Sequence, residues 1–63
     1  MFVFTGVENH QTGFNDTSTG MQYWVQLVPD DGQVQINGDH ATMRVDGKTA
    51  VVPIAGGPIQ WIY

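Results

Sequence analysis

The chain has 63 residues and a mass of 6.9 kDa, so it forms one domain at most, and its lack of cysteine excludes disulfides, thiolate metal sites and cysteine catalysis. Two basic residues against six acidic ones give a net charge of −4, which opposes binding to a nucleic-acid backbone. No apolar run approaches the roughly 20 residues of a membrane span, and the N-terminus lacks a secretory signal, so we expect a soluble protein that binds neither nucleic acid nor membrane.

The residue usage favours an all-β fold. Val and Ile together number twelve, whereas Leu, Lys and Glu occur once each, so β-branched residues replace the good helix formers. Eight glycines and three prolines are spaced as turns require, and no window shows apolar residues at helical spacing. We predict a single antiparallel all-β domain, residues 1–63, with about five to six short strands.

The first half of the chain predicts two strands with a long loop between them. Residues 1–5 place Phe2 and Phe4 on one face of a strand, and residues 21–28 alternate clearly between apolar and polar side chains. Residues 6–20 are mostly polar and lack a strong period, which predicts a functional or mobile loop with room for at most a weak extra strand. We expect four side chains of this loop to contact a partner: His10, Phe14, Asn15 and Asp16.

The second half of the chain is divided by clear turn signals. Pro29 and Gly32 bracket one turn, and Asn37-Gly38 and Asp46-Gly47 are residue pairs that suit type I′ hairpin turns. A further break follows at residues 55–58, where two glycines precede a proline. The strands predicted between these turns cover residues 33–37, 39–45, 48–54 and 59–63.

Strands of this number and length form either a small, partly open barrel of the size of SH3 or OB domains or a compact sandwich. We expect the barrel, because 63 residues hardly fill two separate sheets. The alternation predicts these inward positions: Met21, Tyr23, Val25, Leu27, Val34, Ile36, Ala41, Met43, Val45, Ala50, Val52 and Ile54.

The same alternation leaves several apolar side chains on faces that should meet water. The last fifteen residues, 49–63, also contain no charged side chain to protect a sheet edge. Such an edge pairs either with residues 1–5, which closes the barrel, or with a strand of a neighbouring subunit. The alternative for the apolar side chains is that a tightly curled barrel covers part of them beneath its long loop. Apolar surfaces of this kind usually mark interaction sites. Seven residues are predicted to form a protein interface: Val3, Trp24, Val28, Val51, Trp61, Ile62 and Tyr63.

No group of residues has the pattern of a catalytic or metal centre. A metal site drawn from His10, Asp16, Asp39 and His40 lacks the dense local spacing of known ligand motifs. Ser18, the only serine, has neither a nucleophile-elbow context nor a neighbouring base. We therefore expect no enzymatic activity, no metal and no cofactor.

These features predict a small structural or interaction protein that binds a protein partner or copies of itself within a larger assembly. A decoration, cement or minor capsid component of a virus particle has this character, and the virion is then its location. The alternative is a small acidic inhibitor or adaptor of a host protein, because five aspartates lie in predicted loops and turns and attract a basic partner. A steep loss of binding with salt distinguishes the second interpretation.

Overall fold

A computed structural model describes all 63 residues of the chain as seven antiparallel strands. They are β1 (Phe2–Glu8), β2 (Gln11–Asp16), β3 (Gln22–Val25), β4 (Gln35–Asn37), β5 (His40–Val45), β6 (Lys48–Pro53) and β7 (Gln60–Ile62). The first three strands form the N-terminal sheet, in the order β1-β2-β3, and the other four form the C-terminal sheet, in the order β4-β5-β6-β7. The all-β prediction is confirmed. The expected barrel is not formed, because β1 and β7 do not pair and the two sheets stay separate.

The prediction of a long loop over residues 6–20 is wrong. β1 continues to Glu8, and β2 returns directly from Gln11 through the two-residue turn Asn9-His10. Both turn residues have positive φ, 52° and 62°, which is the type I′ conformation that matches the twist of a hairpin. The turn was not recognised because type I′ turns usually contain glycine and this one contains none.

A β-bulge explains why the apolar pattern of β1 also failed to extend past Thr5. The pairing with β2 shifts between Phe4 and Gly6, so that one extra residue of β1 lies opposite its partner strand. A bulge moves every later side chain to the opposite face. Phe4 and Val7 therefore lie on the same face although they are an odd number of residues apart. A strict period of two places them on opposite faces.

The C-terminal sheet follows the predicted strands closely. Its turn at Asp46-Gly47 has positive φ at both positions, as a type I′ turn requires. The preceding turn is displaced by one residue from the prediction, because Asn37 pairs with His40 and the central residues are Gly38 and Asp39. Of these two, only Gly38 has positive φ, so this turn is not of type I′.

One hydrophobic core lies between the inner faces of the two sheets. The N-terminal sheet contributes Phe14, which is completely buried, and Val25, while the C-terminal sheet contributes most of the remaining core. Thr12 is also buried, and its hydroxyl donates a hydrogen bond of 2.6 Å to the carbonyl oxygen of Leu27. The buried apolar residues are Phe14, Val25, Ala41, Met43, Ala50, Val52 and Ile54. Of the predicted inward positions, only Met21 is instead exposed to solvent.

Candidate functional site

The seven predicted interface residues are distributed over different parts of the molecule. Val3 and Trp24 lie on the outer face of the N-terminal sheet, opposite to the face that carries Phe14. Val51 and Ile62 lie on the outer face of the C-terminal sheet. The structure therefore divides the predicted interface between two sheets. The other three residues are a half-buried Val28 after β3, an exposed Tyr63 after β7, and Trp61, which pairs with Ala50 and packs against the core.

The four predicted loop contacts also have different positions. Phe14 is a core residue with no exposed surface, so its prediction as a partner contact is wrong. The sequence predicts a loop at this strand because Phe14 is surrounded by Gly13 and by polar residues. His10 is exposed at the β1–β2 turn, and Asn15 and Asp16 end β2.

Asp16 stabilises the turn between β2 and β3. Its carboxylate accepts a hydrogen bond of 2.9 Å from the backbone N–H of Ser18, and the ammonium group of Met1 lies 3.5 Å away. These contacts hold the pKa of the Asp16 carboxyl below its ordinary value, with the Ser18 hydrogen bond as the largest cause. The carbonyl of Asp16 also accepts the N–H of Gly20 at 2.7 Å. This carboxylate therefore makes its hydrogen bond and its ionic contact within the chain.

Asp30 connects the segment between the sheets to a distant turn. Its two carboxylate oxygens accept the N–H groups of Gly47 and Asp46 at 2.9 and 3.0 Å, and its own N–H donates to the carbonyl of Arg44 at 2.8 Å. The hydrogen bonds from Gly47 and Asp46 hold the pKa of Asp30 below its ordinary value. The predicted Pro29–Gly32 turn is present, since the N–H of Gly32 bonds to the carbonyl of Pro29. The contact to the β5–β6 turn has no local signal in the sequence, because its partner is 16 residues away.

No three His, Cys, Asp or Glu side chains come together as a metal-binding group. His40 contacts its neighbour Asp39 at the surface, whereas His10 lies at a turn of the other sheet. The hydroxyl of Ser18 accepts a hydrogen bond from the Met1 ammonium at 3.2 Å. The residues considered for catalysis and metal binding are thus not assembled into one site.

Each sheet has two edge strands, β1 and β3 in the N-terminal sheet and β4 and β7 in the C-terminal sheet, and of these β1 and β7 expose apolar side chains near their ends or along their inner face. β7 contacts no strand other than β6, and it carries Ile62, which is 55% exposed and is followed by an 89% exposed Tyr63. β1 exposes Phe4 and Val7 by 38% and 44%, although both lie on the inner face of their sheet. The sequence does not indicate this surface, because Val7 falls in the predicted loop and only the bulge in β1 brings it to the face of Phe4.

Two shallow depressions lie on the outer faces of the sheets. The first has a volume of about 240 Å³ on the C-terminal sheet, where Gln35, Thr42, Arg44 and Thr49 make its lining largely polar. The second has a volume of about 230 Å³ on the N-terminal sheet and is lined by Glu8, Asn9, Gln11 and Trp24. In the second depression an exposed aromatic ring is placed beside three hydrogen-bonding side chains.

Comparison with known proteins adds no relative to this description. No family model, curated protein or solved structure matches the chain. The structure contains no helix with the length and apolar character needed to cross a membrane. A functional assignment therefore depends on the surfaces described above.

Proposed function

We propose that this chain is a small structural or interaction subunit that assembles with copies of itself through its edge strands. The observation that carries the proposal is that β1 and β7 are edge strands, each hydrogen-bonded to another strand on one side only, and that both expose apolar side chains. Exposed edges with apolar surface are templates for strand addition, and proteins normally protect them.

β7 has little of the protection that edge strands usually carry. Charged side chains commonly block edge-to-edge pairing, but residues 49–63 contain none. The Lys48 ammonium lies 5.2 Å from the centre of the Tyr63 ring, so one positive charge of β6 reaches the end of β7. Ile62 remains exposed to a neighbouring subunit.

β1 offers a larger apolar surface than β7. It is seven residues long and has no charge before Glu8. Phe4 packs against Phe14, with ring centroids 6.2 Å apart, but its other side remains exposed because the C-terminal sheet does not cover it. Covering apolar surface contributes about 25 cal/mol per Å². In a domain with only seven buried apolar residues, such a contribution is a large part of the total stability.

A virus particle is one assembly that fits these properties, because its repeated lattice supplies neighbours to a small subunit such as a decoration, cement or minor capsid component. The acidic inhibitor or adaptor draws less support from the carboxylates. Asp16 and Asp30 accept backbone hydrogen bonds within the chain, Asp31 accepts one from the N–H of Gln33, and Asp39 contacts His40. These side chains are already used to stabilise turns.

Sedimentation velocity over a concentration series tests the proposal. We expect the wild-type chain to self-associate between about 1 and 100 µM, and Ile62→Lys to shift the population toward monomer. Gln26→Lys, which adds the same charge at an exposed position just after β3 and outside β1 and β7, is the matched control and should associate like the wild type. A wild-type chain that stays monomeric over the whole range contradicts the proposal. Binding to a protein partner that is lost steeply with added salt would instead favour the acidic adaptor.

A further inference from the structure

Trp24 is held as a flat aromatic surface on the outer face of the N-terminal sheet. It lies in one cross-strand row with Gly13 and Gly6, which have no side chains to separate the indole from the sheet. The fit is close, because a Cβ atom added to Gly13 would lie 2.8 Å from the Cζ3 atom of Trp24. Nevertheless, the residue remains 46% exposed. An exposed ring that is already held in place loses little conformational entropy when a ligand stacks on it.

The polar side chains around this ring provide hydrogen bonds, one negative charge and no positive charge. Glu8, Asn9 and Gln11 line the depression of about 230 Å³ together with Trp24. Amides both donate and accept hydrogen bonds, and a carboxylate accepts them. Both cationic side chains of the protein, Arg44 and Lys48, belong to the other sheet. The depression therefore offers one stacking surface and several groups that match hydroxyls.

The turn that carries Asn9 is a second, independent feature of this place. Asn9 and His10 both have positive φ, which asparagine tolerates but which is less favourable for histidine than for glycine. At the type I′ turn of the C-terminal sheet the first position is Asp46 and the second is Gly47. Unfavourable backbone conformations persist where the surrounding structure requires them and are concentrated at ligand sites. Here a histidine occupies the glycine position of a turn beside the exposed indole.

We propose that the Trp24 depression binds one pyranose ring of an uncharged carbohydrate. The C–H face of the sugar stacks on the indole, and its hydroxyls exchange hydrogen bonds with Glu8, Asn9 and Gln11. A nucleobase also stacks on tryptophan, but its phosphates would meet Glu8 and a net charge of −4 without a nearby cation. An apolar protein side chain would bury these three polar groups without partners, which is unfavourable. This inference does not depend on the proposed self-association.

Binding to a panel of neutral soluble polysaccharides tests the inference. The probes are glucan, mannan, galactan and chitin oligosaccharides, measured by affinity electrophoresis and by the change in tryptophan fluorescence. We expect at least one probe to retain the protein. Trp24→Ala should lower the affinity for that probe about tenfold or more, and Trp24→Phe should lower it less, because phenylalanine keeps an aromatic face. Gln11→Ala should weaken the same binding severalfold, because it removes one hydrogen-bonding group at the rim.

Three controls make the outcome decisive. Trp24→Ala must keep the circular dichroism spectrum of the wild type, so that lost binding is not lost folding. Ile62→Lys should leave carbohydrate binding unchanged, which separates this site from the edge strands of the proposed function. Binding of a neutral sugar should also persist when salt is raised. The inference is overturned if none of the probes retains the protein, or if the Trp24→Ala variant binds as tightly as the wild type. It is also overturned if the protein binds other proteins or single-stranded DNA through Trp24 but binds no carbohydrate.

Discussion

The two sheets are built from strands of similar length, but they achieve their shape in different ways. The C-terminal sheet alternates regularly, has a glycine in each of its two-residue turns, and supplies four of the seven buried apolar residues, with a fifth, Ile54, directly after β6. The N-terminal sheet contains a bulge, a type I′ turn without glycine, and Gly13 in the middle of a strand. It also exposes Phe4 and Val7 on its inner face.

This difference suggests that the sheets have different tasks. Where alternation and turn residues agree with the fold, folding alone explains the sequence. Where they disagree with it, the loss of stability must be offset elsewhere, and such positions are expected near functional sites. The carbohydrate site that we infer lies on the N-terminal sheet, and so does β1, the longest of the four edge strands. The C-terminal sheet supplies most of the core that holds the N-terminal sheet in place.

Phe14, the completely buried aromatic residue of the N-terminal sheet, offers the strongest test of how this sheet packs on the C-terminal sheet. We expect Phe14→Ala to lower the free energy of unfolding by about 3–5 kcal/mol, because it removes a large core side chain and leaves a cavity. That loss is comparable to the whole stability of a small domain. Urea denaturation followed by circular dichroism measures it. Tyr63→Ala, which removes an exposed ring, should change the free energy by less than about 0.5 kcal/mol. Equal effects of both variants would mean that β2 does not pack as described.

Phe14 also illustrates which parts of the fold are readable from sequence. β5 and β6 were predicted to within a few residues, because their alternation is regular and the Asp46-Gly47 turn has a strong local signal. β2 was missed because Gly13 and polar residues surround its single large apolar side chain. A strand of this kind can be predicted only when its partner strand is recognised. The bulge in β1 interrupts the alternation by which that partner would be recognised.

The candidate sites were predictable to an even smaller extent. Alternation correctly placed Trp24 on an exposed face, since it occupies the side of β3 opposite to Val25. Its neighbours Glu8 and Asn9 depend on the register between β1 and β2, which no local pattern determines. The same limit applies to Asp30, whose hydrogen-bond partners at the β5–β6 turn are distant in the chain.

Gly13 distinguishes β2 from an ordinary strand, so a substitution there tests how the N-terminal sheet is packed. A Cβ there would lie 2.6 Å from the Thr5 hydroxyl and 2.8 Å from both the Gln22 amide nitrogen and the Trp24 ring. We expect Gly13→Ala to cost about 1–3 kcal/mol in the free energy of unfolding through overpacking. The loss should be partly recovered in the double variant with Trp24→Ala, because one of the three close contacts is then removed. Additive effects of the two substitutions would contradict the placement of the indole over Gly13.

Exchanging residues between the two type I′ turns examines the backbone conformation alone. His10 and Gly47 occupy the same position of their turns, with φ of 62° and 76°. Since glycine adopts positive φ without the steric cost that a side chain brings, His10→Gly should stabilise the fold by about 0.5–1 kcal/mol. Gly47→His should destabilise it by a similar amount, and there is open space for the new side chain. Thermal unfolding of both variants measures the pair. Stabilisation by both substitutions, or by neither, would show that φ does not distinguish the two turns.

The smallest expected effect concerns the connection from Asp30 to the β5–β6 turn. Hydrogen bonds from Gly47 and Asp46 hold the pKa of this carboxyl below its ordinary value of 3.8, so the ionised form is favoured in the folded chain. The resulting stability is present above the unfolded pKa, near pH 4, and is lost as the pH falls through the lower folded pKa.

Asp30→Asn should therefore lower the melting temperature at pH 7 but show a smaller further loss on acidification to about pH 3 than the wild type does. The matched control is Asp46→Asn, because the Asp46 carboxylate accepts no hydrogen bond and only its backbone N–H contacts Asp30. This control should keep the pH dependence of the wild type. If Asp30→Asn and the wild type lose the same stability between pH 7 and pH 3, the carboxylate does not hold the connecting segment to the C-terminal sheet. The packing of the two sheets would then rest on their shared core alone.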